Sequence, residues 1–279
     1  MNKVKILTYF CLTYILSRNF DDLYENMKLR KILKKNKNDI LQFSIESKLF
    51  DTYTIVKIFN YHKYSKCIIL MDSKHINKIF ILSVSKSHQN KFINFLSNPN
   101  RLKFKPKELN FLNQNNFLIF EGIYEELFCH SFYKEFTDYI HTLFINNKEL
   151  EYDFIGFSIN GITSIFLSYL LTIVYENKMN IYSYAIPKFC NQQLIDEFEQ
   201  KKNMNIKIIN HIHDPVQLLI PPFTLNFKSI IFLDNTHMYI HTNKNRKQDE
   251  YIKNRFTSNV FSFLPTHHSS NYYFKALLV

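Results

Sequence analysis

The sequence predicts an α/β protein with a mostly parallel central sheet and helices on both faces. Short runs rich in Ile, Val, Tyr and Phe alternate with longer segments whose apolar residues recur every three or four positions. Strands that alternate with helices in this way usually form a parallel sheet. Hydrophobic residues make up 46% of the 279 residues, and this content is sufficient for a large buried core.

Residues 1–50 are expected to form an N-terminal helical segment, and residues 51–279 the main domain. Within residues 1–17, two lysines precede an apolar run, as in a signal peptide, but the run contains Thr and Tyr and lacks a small-residue cleavage site. These residues are either a signal peptide of a secreted protein or the first helix of a cytoplasmic one. No apolar run reaches the roughly 18 residues of a transmembrane segment.

The elements of the main domain follow from local composition. Segments rich in β-branched and aromatic residues between polar turns are expected to be strands. They are residues 53–60, 66–71, 76–84, 117–120, 180–185 and 206–210, with a hairpin at 228–241 that turns near 234–235. Helical periodicity predicts helices at 123–144, after residue 161, and at 191–200. Residues 97–116 are expected to be a loop.

The stretch 151–167 contains the candidate nucleophile. A short apolar run leads to Ser158, which stands between Gly156 and Gly161, and a long apolar segment with helical spacing follows. This order predicts a nucleophile elbow, in which a strand, a sharp turn with a serine and a helix follow one another. The chain has only 3 Gly. From this composition, two of them would flank a serine in this spacing with a probability of about 0.002.

A serine hydroxyl needs a general base within hydrogen-bond reach, and the base needs an orienting acid. The chain offers candidates in the order Ser, Asp, His: Ser158, then Asp214 at a strand end, then His268 near the C-terminus. His267 is the alternative base. The candidate triad is therefore Ser158, Asp214 and His268.

Several segments resemble those of the class 3, fungal-type lipase family. Residues 156–162, G-F-S-I-N-G-I, resemble its elbow G-H-S-L-G-G-A, and 181–191 are similar to V-Y-T-F-G-x-P-R-V-G-N. Residues 208–222 resemble a strand and the loop N-x-x-D-P-V-P-x-L-P-P, which in the family carries the catalytic Asp. Residues 268–273 are similar to H-S-x-x-x-Y, which favours His268 over His267. Residues 79–87, followed by 92–96, resemble F-R-G-T or F-R-G-S followed by W-x-x-D-L.

The resemblance implies an α/β-hydrolase fold and a serine esterase that acts on acylglycerols or phospholipids. It implies that Ser87 and the backbone N–H of Ile159 form the oxyanion hole, and that Gly156, Asn160 and Gly161 form the elbow turn. Residues 97–116 stand where the family carries its lid, and their Phe, Leu and Lys content suits transient contact with a lipid surface. Neither a metal nor an organic cofactor is implied.

Three positions depart from the family pattern. Asn160 replaces the second elbow glycine, Phe157 replaces the histidine before the serine, and Lys86 replaces the glycine before the oxyanion residue. Two interpretations follow: a diverged but active lipase, or a catalytically inactive lipase-like protein that binds lipid or a protein partner.

Two other classes find little support in the sequence. The net charge of +11 would suit a nucleic-acid partner, but the lysines are dispersed, and an AT-rich genome accounts for their abundance. The run His211-x-His213-Asp214 resembles part of a metal site, but no further ligands stand at a recognisable spacing. No nucleic acid and no metal is therefore expected.

Overall fold

The computed structural model describes most of the chain in separate ranges. These are residues 3–33, 50–62, 65–86, 106–108, 117–121, 124–125, 131–146, 149–212, 214, 216, 227–233, 238–242, 273–274 and 276–277.

The described residues form one large sheet of eight strands and a separate two-stranded ribbon. In chain order the strands are β1 Tyr53–His62, β2 Ser65–Asp72, β3 Lys78–Ser85, β4 Pro106–Glu108, β5 Leu118–Phe120, β6 Glu151–Phe157, β7 Met179–Tyr184, β8 Met204–His211, β9 Ser229–Leu233 and β10 Met238–Thr242. The large sheet has the order β1-β2-β3-β6-β7-β8-β9-β10. All the strands expected from composition are present, and the hairpin at 228–241 is confirmed.

The centre of the large sheet is parallel. Strands β3, β6, β7, β8 and β9 pair in parallel, whereas β1, β2 and β10 are antiparallel to their neighbours at the two edges. Strands β4 and β5 pair with each other. Residues 106–108 are therefore a short strand, and the expectation of a loop throughout 97–116 is wrong there. A proline and charged residues give this strand no apolar pattern from which it could have been predicted.

Helices cover both faces of the sheet, as predicted. The described helices are α1 Lys3–Arg18, the 3₁₀ turn Phe20–Asp22, α2 Arg30–Leu33, α3 Phe132–Asn146, α4 Ile159–Thr172 and α5 Gln192–Gln200. Neighbouring strand residues point to opposite faces. Phe154 of β6 packs in the core with α3, α4 and α5, and Ile155 packs in the core with α1.

Helix α1 is buried over most of its length. Ten of its sixteen residues are buried, and its core is shared with residues of β3, β6 and β7. The hydroxyl of Tyr184 donates to the carbonyl of Ile6 at 2.7 Å, which ties α1 to the centre of the sheet. Helix α1 thus contributes to the same core as the 51–279 segment. The domain division at residue 50 and the signal-peptide interpretation stay predictions.

Among the described helices, none combines the length and the apolar content that a bilayer crossing requires.

Candidate active site

Ser158 and Asp214 lie at the same edge of the sheet. Ser158 follows the last residue of β6, and Asp214 lies three residues after the end of β8, with β7 between the two strands. Because β6, β7 and β8 are parallel, their carboxyl ends all face this edge. The carboxyl edge of a parallel sheet is where α/β proteins usually place their ligands.

The backbone at Ser158 is strained. Its φ of 60° and ψ of −130° lie in a region that residues other than glycine rarely adopt. Such a conformation costs about 1–3 kcal/mol and persists only where the surroundings enforce it. The Ser158 N–H donates to the carbonyl of Tyr184 at 2.7 Å, and the Ser158 carbonyl accepts from Gly161 N–H at 2.9 Å. The residue is half-buried, and it lies in the sharp turn between β6 and α4.

The two elbow glycines lie where neighbouring atoms leave no room for a Cβ. A Cβ on Gly156 would lie 2.2 Å from the carbonyl oxygen of Asn160, so that strand β6 and helix α4 could not approach as they do. A Cβ on Gly161 would lie 2.6 Å from Cγ2 of Ile186 and 3.3 Å from Cβ of Ser183. The close packing at this turn therefore explains both glycines.

The N-terminus of α4 begins immediately after the serine. As the first residue of α4, Ile159 has a backbone N–H that no carbonyl of the same helix can reach. The positive end of the helix dipole also lies at this turn. Both features favour a developing negative charge beside Ser158.

Asp214 is fully buried, and its carboxylate accepts hydrogen bonds from a side chain and from the backbone of described residues. The Tyr273 hydroxyl donates to Oδ2 at 2.7 Å, and the Val216 N–H donates to Oδ1 at 3.0 Å. The Tyr273 hydroxyl in turn accepts from the His211 N–H at 2.8 Å. Burial, followed by the charge of Asp214, raises the pKa of Tyr273 well above its ordinary value. The hydroxyl therefore stays protonated and continues to donate to the carboxylate.

Tyr273 also contacts the residue next to the serine. Its ring meets that of Phe157 edge-on, with the centroids 5.5 Å apart. Phe10 of α1 completes this aromatic group, since its ring lies 6.0 Å from that of Phe157 and 6.2 Å from that of Tyr273. Sequence reasoning used Tyr273 only as part of a motif and missed both its contact with Asp214 and the position of Phe10.

The site and the fold can now be compared with known proteins. The family model of class 3 lipases matches residues 84–223, just over half of the chain. The chain belongs to the class 3 lipase family. None of the curated proteins matches the sequence.

Solved lipase structures resemble this chain over most of its length. The triacylglyceride lipase of Rhizomucor miehei is 15% identical, with a TM-score of 0.62 over 85% of this chain and 83% of that one. A triacylglycerol lipase whose catalytic centre is described as a serine protease triad is 14% identical, with a TM-score of 0.64 over 85% and 83%. The lipase of Rhizopus microsporus var. chinensis is 11% identical, with a TM-score of 0.61 over 86% and 78%. At these identities the likeness shows the fold, and the predicted α/β-hydrolase fold is confirmed.

The three departures from the family's motifs each have partners within this chain. Phe157 packs against Phe10 and Tyr273. The side chain of Asn160 hydrogen-bonds to that of Ser85. Lys86 forms an ion pair with Asp21 of the 3₁₀ turn. The departures are thus accommodated by contacts that the chain itself supplies.

Several predicted site residues lie outside the described residues. They are Ser87, His267, His268 and His213, together with residues 97–116 apart from 106–108. Their roles stay predictions. Among the described residues, no group of three or more His, Cys, Asp or Glu side chains is arranged to hold a metal ion.

Proposed function

We propose that this class 3 lipase hydrolyses acyl esters of glycerolipids through a Ser158–Asp214–His268 triad and an acyl-enzyme intermediate. The observation that carries the proposal is the pairing of a strained, half-buried serine with a buried, hydrogen-bonded aspartate at one sheet edge. Strain of this kind is retained mainly at functional sites. A turn without a catalytic role would be more stable with an unstrained backbone conformation at this position.

The proposed base is His268. Tyr273 lies against Asp214, and His268 precedes Tyr273 by five residues, a span of at most about 18 Å of extended chain. His268 would take the proton of Ser158 Oγ as that oxygen attacks the ester carbonyl. Asp214 would hold the imidazole in the required tautomer and stabilise its protonated form.

The oxyanion would be stabilised by two backbone N–H groups, those of Ile159 and Ser87. One such donor contributes about 3 kcal/mol to the stabilisation of the transition state. Collapse of the tetrahedral intermediate breaks the ester C–O bond, and His268 protonates the departing alcohol. Water then attacks the acyl-enzyme with His268 again as base, and the fatty acid is released. The reaction requires neither a metal nor an organic cofactor.

The substrate class follows from the family. Triacylglycerol, mono- or diacylglycerol and phospholipid all present the same ester to this site. Residues 97–116 are proposed to act as a lid whose Phe and Leu side chains contact the lipid surface. If so, the rate of ester hydrolysis rises when a soluble short-chain ester is replaced by the same ester in micelles.

A fluorophosphonate probe tests the proposal, because it reacts only with an activated serine. The wild type is expected to label, whereas Ser158→Ala and His268→Ala are not, and His267→Ala serves as the matched control that keeps labelling. A folded wild type that stays unlabelled and cleaves no glycerolipid ester would overturn the proposal. The alternative, an inactive lipase-like protein that binds lipid or a protein partner, would then take its place.

A further inference from the structure

The end of β3 is joined to the first turn of α4 by side chains. Ser85, the last residue of β3, has its Oγ 2.9 Å from Nδ2 and 3.2 Å from Oδ1 of Asn160, the second residue of α4. The Asn160 amide therefore donates to the Ser85 hydroxyl. Asn160 is only 8% exposed, so solvent does not compete freely for this hydrogen bond.

Two further contacts hold this pair in place. The Oγ atoms of Ser85 and Ser65 lie 3.1 Å apart, and Ser65, the first residue of β2, is buried. Nδ2 of Asn160 also lies 3.4 Å from the carbonyl oxygen of Phe157, the residue before the serine. The side chain of Asn160 thus connects the start of β2, the end of β3 and the end of β6 with the helix that follows Ser158.

The family motifs do not provide this side-chain link between β3 and α4. In the family motifs that residues 79–87 and 156–162 resemble, an arginine stands at the position of Ser85 and a glycine at that of Asn160. A glycine has no side chain with which to reach β3, so the link depends on both residues of this chain. Asn is also a weak helix former, and helix propensity alone would not favour it at this position.

We propose that Asn160 is a positioning residue for the oxyanion hole and acts through Ser85. The proposal rests on the proposed function. The first turn of α4 supplies the N–H of Ile159, one of the two proposed donors. The link to Ser85 holds this turn, and with it the N–H of Ile159, against the end of β3. Oxyanion stabilisation depends on such preorganisation, and a misplacement of about 1 Å can lower a rate by about a hundredfold.

The test compares Asn160→Ala, Asn160→Gly and Ser85→Ala with a matched control, Asn180→Ala. Asn180 is also a buried asparagine, 4% exposed, and it donates to Asp153 Oδ1 at 2.8 Å, but it lies at the opposite edge of the sheet. For the three link variants we expect kcat to fall about tenfold or more, with KM within about twofold. We expect the Ki of an alkyl trifluoromethyl ketone, which forms an oxyanion on the serine, to rise in parallel. Asn180→Ala is expected to lower Tm and to leave kcat and this Ki unchanged.

A double-mutant cycle on unfolding tests the link without relying on catalysis. Because Asn160 donates to Ser85, the unfolding constant of Asn160→Ala/Ser85→Ala is expected to differ about fivefold from the product of the single effects. Ser85→Thr keeps a hydroxyl and is expected to restore most of kcat. Link variants with wild-type kcat and Ki would overturn the positioning role while wild-type labelling still supports the proposed function. A wild type that neither labels nor cleaves ester would overturn both, whatever the cycle shows.

Discussion

At the scale of single residues, the hydroxyl of Tyr273 has a role that no local pattern reveals. It donates to Asp214 and accepts from the His211 N–H, and all three groups are buried. A buried carboxylate that loses a hydrogen bond incurs a large desolvation penalty, and its orientation becomes less well defined. The precision of the proposed triad therefore depends on a residue that takes no part in proton transfer.

Tyr273→Phe is expected to lower stability by about 1.5–3 kcal/mol and kcat by about tenfold or more, because Asp214 and the His211 N–H both lose a partner. Urea unfolding and ester hydrolysis measure the two effects. Tyr152→Phe is the matched control, since Tyr152 is equally buried and its hydroxyl has no hydrogen-bond partner among the described residues. That change is expected to be neutral or stabilising. Equal effects of the two substitutions would contradict the assigned role of Tyr273.

Alanine substitutions at the two elbow glycines are expected to destabilise the protein to different extents. In Gly156→Ala the added Cβ meets the backbone of Asn160 at 2.2 Å, whereas in Gly161→Ala it meets mainly the Ile186 side chain at 2.6 Å. A side chain can move aside more easily than a helix backbone. Gly156→Ala is expected to lower the free energy of unfolding by about 3 kcal/mol or more, and Gly161→Ala by about 1–3 kcal/mol. Denaturant midpoints check the order, and the reverse order would show that the elbow packs differently.

At the scale of elements, polar and aromatic contacts attach helix α1 to the sheet. Near its start, the Tyr9 hydroxyl hydrogen-bonds to Asp153 of β6, and Lys5 forms an ion pair with the same carboxylate at 3.3 Å. Asp153 is fully buried, so these partners and Asn180 offset its desolvation. The neighbouring residue, Phe10, packs beside the candidate active-site edge of the sheet. The helix therefore joins the middle of β6 to the residues that surround Ser158.

Phe10→Leu tests whether α1 supports the site. The Phe10 ring contacts those of Phe157, Tyr184 and Tyr273. Phe157 precedes Ser158, the Tyr184 carbonyl accepts the Ser158 N–H, and the Tyr273 hydroxyl donates to Asp214. The change is expected to lower stability by about 1–2 kcal/mol and kcat about threefold to tenfold.

Phe166→Leu is the matched control, because Phe166 is equally buried but packs against Phe189 and Phe198 on the other face. It should cause a similar loss of stability and leave kcat near the wild-type value. Parallel losses of kcat in both variants would mean that α1 affects activity only through global stability.

At the scale of the whole molecule, the sequence predicted the sheet and the elbow because both depend on local patterns. Apolar runs identify the buried strands, and two glycines in a chain that rarely uses glycine identify the crowded turn. The contacts of Phe10 and Tyr273 could not be predicted, since they join residues far apart in the chain and leave no periodic signal. The buried position of α1 was ambiguous for a different reason: a helix that is apolar on all sides has the composition of a signal peptide.

The three departures from the family motifs also belong to this scale, because their partners lie in different elements. Phe157 contacts Phe10 of α1, Asn160 contacts Ser85 of β3, and Lys86 pairs with Asp21. A substitution back to the family residue would remove each contact, while the partner residue would keep its present side chain. The departures are therefore expected to be favourable in this chain even though they differ from the family motif.

The variant Lys86→Gly/Phe157→His/Asn160→Gly tests this expectation. A polar ring would replace Phe157 in an aromatic group, a glycine would enter α4, and the ion pair with Asp21 would be lost, for a combined destabilisation of about 3–4 kcal/mol. The kcat/KM for ester hydrolysis is expected to fall about tenfold or more, because the link to β3 and the packing beside Ser158 are both disturbed. Each single variant should show part of the loss. If the triple variant were instead as stable as the wild type and more active, the departures would be defects, and the inactive lipase-like alternative would gain support.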